Sequence, residues 1–575
     1  MTFRARPTTR AGRRRGLDSD ARRNLIFNLG FGGVVVVAIL LLVGAAAAAW
    51  YGEHLAPVAV VNGETITRDA LRHRAAIETF RLDTLESRTR DKVAAGRMPP
   101  AQGQQLINFI AQQRQGIADF ALEREIDATL LLQLAAREGV EISEAAIDAQ
   151  IREDATAPES RHTFMVRVIP EVSEGAAEPT AEQVAAARQK AEDLRAQLEV
   201  GTSWEEVVQA SGDTDAIETN GDLSFLDEGS VAPDQYFVEA IFALPAPGFT
   251  DVIEGADGIF RIGRLAEIVP EVHDPNYLRR AADAGISEAT YRRFAAAVVA
   301  RDALEERLLA EIVESPSEQR RVGEIVIDAN EGLPLPEGAV LVRHLLFAPA
   351  DDPGAAAALE ADDPAWQAAE EEALRAHADL EAGTVRFVDL APGSDDATSA
   401  ARNGFLPYFA PNDPGAQLDP AFAAAIFADG LEEGQLLEPV KSAFGWHVIQ
   451  LVSRDAPTER AATLAAEASR PGADFAALAA EHSIAGTAAG GGELGWIARY
   501  QLDRERHEAI FATQEGDVSE ILPRDGFTFY KVLEVAIRSP DPAQAAQLRA
   551  VAFTNWFTGI KEDPEQTTIE RILGS

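Results

Sequence analysis

Gly404-Phe405-Leu406, then Phe422-Ala423-Ala424-Ala425-Ile426-Phe427, then Gly445-Trp446-His447-Val448-Ile449: this ordered set decides how the chain reads. An upstream counterpart runs Gly221-Asp222-Leu223, Phe237-Val238-Glu239-Ala240-Ile241-Phe242 and Gly258-Ile259-Phe260-Arg261-Ile262. A downstream one runs Gly492-Glu493-Leu494-Gly495-Trp496, Glu508-Ala509-Ile510-Phe511 and Gly526-Phe527-Thr528-Phe529-Tyr530. Order and approximate spacing persist while the intervening residues drift, which is the mark of a duplicated folding unit. Only the middle copy keeps histidines at two of its positions, His344 and His447.

Outward from the repeats, the chain divides by its punctuation. Residues 158–270 hold the first repeat, 338–455 the second and 456–538 the third. The segment 271–337 reads as a helical connector; its helix over 286–314 is capped by Ser287 and striped by Tyr291, Phe294, Val298, Leu304 and Leu308. Residues 539–575 read as a C-terminal helix with Phe553, Trp556 and Phe557 among its apolar positions. Upstream, 51–157 opens on Val58-Ala59-Val60-Val61-Asn62-Gly63-Glu64-Thr65-Ile66-Thr67, two short strands about an Asn-Gly turn. Helices follow to about Glu153, with Leu122, Ile126, Leu130 and Leu131 on one stripe. The third repeat has no clear first strand of its own, so Val448–Val452 is a candidate to serve both neighbours.

The 575 residues carry a net charge of −41. Such a surface repels phosphates, which argues against nucleic acid as a partner. With no cysteine, disulfides, thiolate chemistry and Cys-ligated metal are excluded. Residues 25–50 are uncharged and long enough to span a bilayer. Arg22, Arg23 and six more arginines upstream, at 4, 6, 10 and 13–15, place the tail 1–24 in the cytoplasm and the body outside. A cleaved signal peptide is the competing reading; the apolar run exceeds a usual signal core, which favours a retained anchor.

The second repeat resembles a parvulin-type peptidyl-prolyl isomerase domain. Val342-Arg343-His344-Leu345-Leu346 is similar to that family's first strand, and Ser394-Asp395-Asp396 with Gly404-x-Leu406 to its central loop. Leu418 with Phe422-x-x-Ala425-x-Phe427 is similar to its proline-pocket helix, and Phe444–Ile449 to its last strand. Residues 58–153 resemble the N-terminal part of SurA-like foldases through Val61-Asn62-Gly63 and Ile66. With the anchor, the whole resembles a SurA/PpiD/PrsA-type membrane-tethered foldase. The resemblance implies an α+β chain: a transmembrane helix, a helical chaperone module and tandem parvulin-like domains, each a small antiparallel sheet with surrounding helices.

It also implies a chemistry. His344, His447 and Asp396 fall on the polar catalytic cluster, and Leu406, Leu418 and Phe422 on the wall that holds the proline ring. Isomerisation needs neither nucleophile nor cofactor, only a dry pocket that favours the twisted amide. No metal is expected, since no third ligand accompanies the paired histidines at a recognisable spacing. Expected partners are unfolded or nascent secreted polypeptides with Xaa-Pro bonds, the membrane through the N-terminal helix, and the neighbourhood of the secretion translocon.

The family's usual Gly-Gly-Asp-Leu-Gly is here Asn403-Gly404-Phe405-Leu406-Pro407; Leu418 stands for a Met and Asp419 for a Gln. The first repeat has Phe260 where the second has His447, with Val166 near the first histidine position, or Arg161-His162 in a shifted register. The third has Ala485 for the acid, Arg506 for the pocket Phe and Thr528 for the last His. Both outer copies read as folded and inactive. His54, His73, His273, His377, His482 and His507 take the ordinary reading of half-buried or solvated residues. Two alternatives to the membrane-tethered isomerase and chaperone stay open. One is a holdase whose parvulin-like units only cradle peptides. The other is a structural envelope protein of tandem repeats.

Overall fold

The computed structural model describes residues 19–172, 179–230, 233–255, 257–330, 334–411 and 418–572. Residues 1–18 of the expected cytoplasmic tail lie outside the described residues. Two compact units result, one of Met1–Ala303 with Thr567–Ser575 and one of Leu304–Gln566. Helices and small antiparallel sheets alternate in both, an α+β organisation.

The first unit begins with the helix Ser19–His54, whose Val34–His54 stretch has a mean hydropathy of 2.5 and is long and apolar enough to cross a membrane. The hairpin Pro57–Val61 and Glu64–Thr67 turns at Asn62 and Gly63, both at positive φ, as a tight two-residue turn demands. Its outer edge is covered by the strand Ile569–Arg571 from the far end of the chain. The side chain of Asn62 accepts from the Thr568 amide at 2.8 Å. Thr67 and Ser143 cap the helices Arg68–Ala94 and Glu144–Asp154, each accepting from the amide three residues on. Ile77, Phe80, Ile147 and Ile151 then share a core with Tyr277, Tyr291 and Phe294. The last two belong to the helix Glu288–Ile312, which answers to the expected helix over 286–314 and packs on the N-terminal helices.

The same unit holds a sheet centred on Ser160–Val168, flanked by Asp222–Asp227 and Phe260–Val269. One face packs on the helices Ala181–Glu199 and Trp204–Ser211, the other on Gln235–Ala243.

In the second unit a sheet orders Leu341–Phe347, Trp446–Ser453 and Val440–Lys441. Another is centred on Ser317–Ile327, between Glu493–Ala498 and Phe527–Arg538. This corrects the sequence reading. The third repeat has its own first strand, and it lies within the stretch read as a helical connector. Val448–Val452 does not serve it. The strand escaped notice because Glu318, Arg320, Arg321 and Glu324 interrupt its apolar positions. Val322 packs with Ile497 and Tyr530, while Ile325 and Ile327 pack with Leu464 and Phe475. The second repeat is thus inserted between the first strand of the third sheet and the rest of that sheet. The helix Pro542–Glu562 rests on the third repeat, with Gln544 donating to the Trp496 carbonyl at 2.8 Å and Asn555 to that of Tyr500 at 3.0 Å.

Candidate functional site

Two neighbouring strands of the second repeat set the site. His344 lies opposite Ile449, and His447 opposite Leu346. Two residues apart in register, both side chains emerge on one face. The rings stack with centroids 5.2 Å apart, and Nδ1 of one lies 3.0 Å from Nδ1 of the other. His344 Nε2 lies 2.9 Å from Asp396 Oδ2 and 3.0 Å from Ser399 Oγ, and His447 Nε2 lies 2.7 Å from Ser442 Oγ. His344 is 4% exposed and His447 5%.

The donor inventory orders this chain. An ionised carboxylate only accepts, so His344 donates from Nε2 to Asp396. His447 is bonded in turn to the Ser442 hydroxyl through Nε2. The His344 hydrogen bond, reinforced by Ser399, holds the Asp396 carboxyl well below the usual range against the opposing effect of burial. Burial, followed by the proximity of His344, lowers His447 to about 3, so it is neutral at physiological pH.

Local sequence explains the placement. Asp396 caps the short helix Ala397–Ala400, accepting from the amides of Thr398 and Ser399. Asp419 caps Pro420–Ile426 and accepts from the Ala443 amide at 3.0 Å, which ties the helix to the turn bearing Ser442. That helix directs Phe422 edge-on to both imidazoles, at centroid distances of 5.0 Å from His447 and 5.8 Å from His344. Leu406 and Leu418 pack partly buried on the same cluster. All six residues expected from sequence, His344, Asp396, His447, Leu406, Leu418 and Phe422, therefore converge on one face. Ser399 and Ser442 were missed. Their only sequence signals are positions three residues after Asp396 and five before His447.

The outer repeats are aligned by one backbone bond. The amide of His344 donates to the Gly404 carbonyl, that of Met165 to Gly221 and that of Glu324 to Gly492. Met165 and Glu324 therefore occupy the His344 position. Arg261 and Thr528 occupy that of His447, being paired with Arg167 and Val326 as His447 is with Leu346. The expected Val166 and Phe260 lie instead on the opposite face, packed against helices, because a slip of one residue exchanges faces. His162 bonds Asp222 at 2.9 Å between the rings of Phe164 and Phe225, away from that position. In the third repeat Glu324 accepts from Thr487 at 2.8 Å, its carboxyl raised by burial. Arg506 stands at the third residue of its helix, as Phe422 does. Among the described residues, no group of three His, Asp or Glu is arranged to hold a metal ion.

Residues 344–453 and 452–534 match the rotamase family model described as a PPIC-type PPIASE domain. The chaperone SurA of Alkalilimnicola ehrlichii is 45% identical over 76 residues, which is 13% of this chain and 16% of that protein. That of Bordetella bronchiseptica is 23% identical over 428 residues, 66% of this chain and 71% of that protein. Among solved structures, the peptidyl-prolyl isomerase ESS1 from Candida albicans is 25% identical, covering 22% of this chain and 70% of that one with a TM-score of 0.16. The chain carries a parvulin-type rotamase domain and is similar to SurA chaperones.

Proposed function

We propose that this chain is a membrane-tethered, extracytoplasmic peptidyl-prolyl isomerase and chaperone whose isomerisation takes place in the 338–455 segment. The observation that carries this is the unbroken hydrogen-bonded series Asp396–His344–His447–Ser442 beside the buried ring of Phe422. In this reading the proline ring rests on Phe422, with Leu406 and Leu418 at its flanks. An ordinary amide rotates over a barrier of ~18–20 kcal/mol, so any preference for the twisted form accelerates exchange. The planar amide places partial negative charge on its oxygen, and twisting withdraws it. A carboxylate near that oxygen disfavours the planar form more than the twisted one.

Both imidazoles have their nitrogens engaged within the series, and His447 is neutral. They therefore fix Asp396 and the floor of the pocket, and no nucleophile is required. Asp396, with its side chain 26% exposed, is the polar group that reaches toward a bound peptide.

A cavity of about 740 Å³ in the first unit supports the chaperone half of the proposal. Phe109, Ile117 and Phe120 line it together with Arg81 and Arg124, a surface suited to unfolded polypeptide. The resemblance to SurA chaperones supports unfolded secreted proteins as clients, and the apolar N-terminal helix supports tethering. The test is proline isomerisation and suppression of client aggregation by the full chain. An inactive wild-type protein that still suppresses aggregation would favour the holdase.

A further inference from the structure

We infer that the third parvulin-like fold is a clamp that positions the His344–Asp396 pair of the second, with Asn403 and Phe405 as its positioning residues. This rests on the proposed isomerase function of the second repeat and adds a device that holds its site.

The loop that bears Asp396 and Ser399 ends at Asn403, which is 8% exposed. The Asn403 amide donates to the carbonyls of Ser483, at 3.0 Å, and Ala485, at 2.8 Å. These acceptors lie in the corresponding loop of the third repeat. The amide of Ala485 bonds Ser483 Oγ just as that of Asp396 bonds Ser394 Oγ. Emptied of its acid, this loop accepts bonds from the one that keeps it.

The next positions are equally specific. Phe405 is 1% exposed and packs with Leu341, Tyr408 and Ile484. At the same place the first and third repeats carry charged residues, Asp222 and Glu493, both exposed. An apolar ring there has a use only if something covers it. Pro407 stands where Ser224 and Gly495 adopt positive φ, a conformation closed to proline. The second repeat accordingly makes only isolated bridges at Phe405 and Phe409, where the other two form a full strand.

The strand beside the loop is held from the same direction. Arg343, adjacent to His344, donates to the Glu481 carbonyl at 2.9 Å. That carbonyl lies at the end of the helix Phe475–His482, where the backbone dipole favours cations. Arg402, next to Asn403, pairs with Asp328 at the end of the third sheet's first strand. Both elements that aim the His344–Asp396 bond are thus fastened to the third fold.

The test uses the full chain. Asn403→Gly keeps the backbone, since glycine adopts positive φ freely, and removes both amide bonds. Ile484→Ala loosens the Phe405 contact from the third fold alone. Misplacement of a reacting group by about 1 Å costs on the order of a hundredfold in rate, and a partial loosening costs less. For Asn403→Gly the expected result is a five- to fiftyfold fall in kcat. KM for a proline peptide should stay within about twofold, because Phe422, Leu406 and Leu418 are untouched. Ile484→Ala should move kcat in the same direction. The ¹⁵N-imidazole NMR signals of His344 should shift or broaden in both variants while circular dichroism stays unchanged. A folded Asn403→Gly protein with unchanged kcat overturns the clamp, as does a fall that merely tracks the unfolded fraction. An inactive wild type overturns the isomerase reading instead, and the imidazole signals still decide the clamp: if they are unchanged in both variants, it is wrong.

Discussion

Phe422→Ala separates the pocket wall from the polar series. The ring is buried and touches both imidazoles, so its loss opens a cavity beneath them. Truncating a buried Phe typically costs about 3–5 kcal/mol of stability. The bound proline also loses one wall, about 1.5–3 kcal/mol if its ring is otherwise buried as fully as a valine. That second figure corresponds to roughly ten- to a hundredfold in kcat/KM. His447→Asn keeps a polar group at the Nδ1 position and loses the Nε2 bond to Ser442, about 0.5–1.5 kcal/mol, or at most about tenfold. Phe422→Ala should therefore be the more damaging of the two. The assay is isomerisation of an Ala-Pro peptide by the full chain. Phe422→Leu serves as a control that fills most of the cavity, with thermal unfolding of all variants alongside. Phe422→Ala with near-normal kcat/KM in a folded protein would mean that the proline ring sits elsewhere, and the site assignment would be wrong.

Further outcomes follow from the same geometry. Burial lowers His447 and His482 to about 3 and His507 to about 4. Because these folded values lie below the ordinary 6.5, the unfolded chain takes up protons first as pH falls. The stability they contribute is complete above about pH 6.5 and is lost toward pH 3. Urea titrations from pH 8 to 4 should show this decline, and a stability that holds level over that range would contradict it. Ending the chain at Gln566 removes the strand Ile569–Arg571 and the Arg571–Glu123 ion pair, exposing the edge of the N-terminal hairpin. Thermal unfolding should report a loss of about 1–3 kcal/mol, and an unchanged Tm would contradict that role. Asp396→Asn keeps the shape and removes the charge that fixes the direction of hydrogen bonding, so isomerisation should fall by about one or two decades while aggregation suppression persists; parallel loss of both would refute the separation of functions.

The site was more legible than the scaffold around it. His344, Asp396, His447, Leu406, Leu418 and Phe422 come together because each lies at a fixed place in a short strand, capped turn or helix, and those elements leave local marks in sequence. The strand Ser317–Ile327 was hidden because its partners lie far along the chain and its half-buried positions are charged. The mismatch at Phe260 comes from counting from Gly258, and that at Val166 from matching the strand end; each count is one residue off. The closing strand Ile569–Arg571 is only three residues long, and its pairing with Pro57–Val61 is set by long-range contact that composition cannot reveal. The departures at Asn403, Phe405 and Pro407 became intelligible only beside the third repeat, where their contacts lie.

We propose that proline exchange is catalysed at the face shared by His344, His447, Asp396 and Phe422. Exchange-spectroscopy NMR on a ¹³C-proline peptide, with catalytic amounts of the full chain and of its His344→Ala/His447→Ala double variant, tests it most directly. Cis–trans exchange cross-peaks should appear with the wild-type protein, and exchange should run at the uncatalysed rate with the folded double variant. Undiminished exchange with the double variant would place catalysis elsewhere, and none with the wild type would leave the chain a holdase.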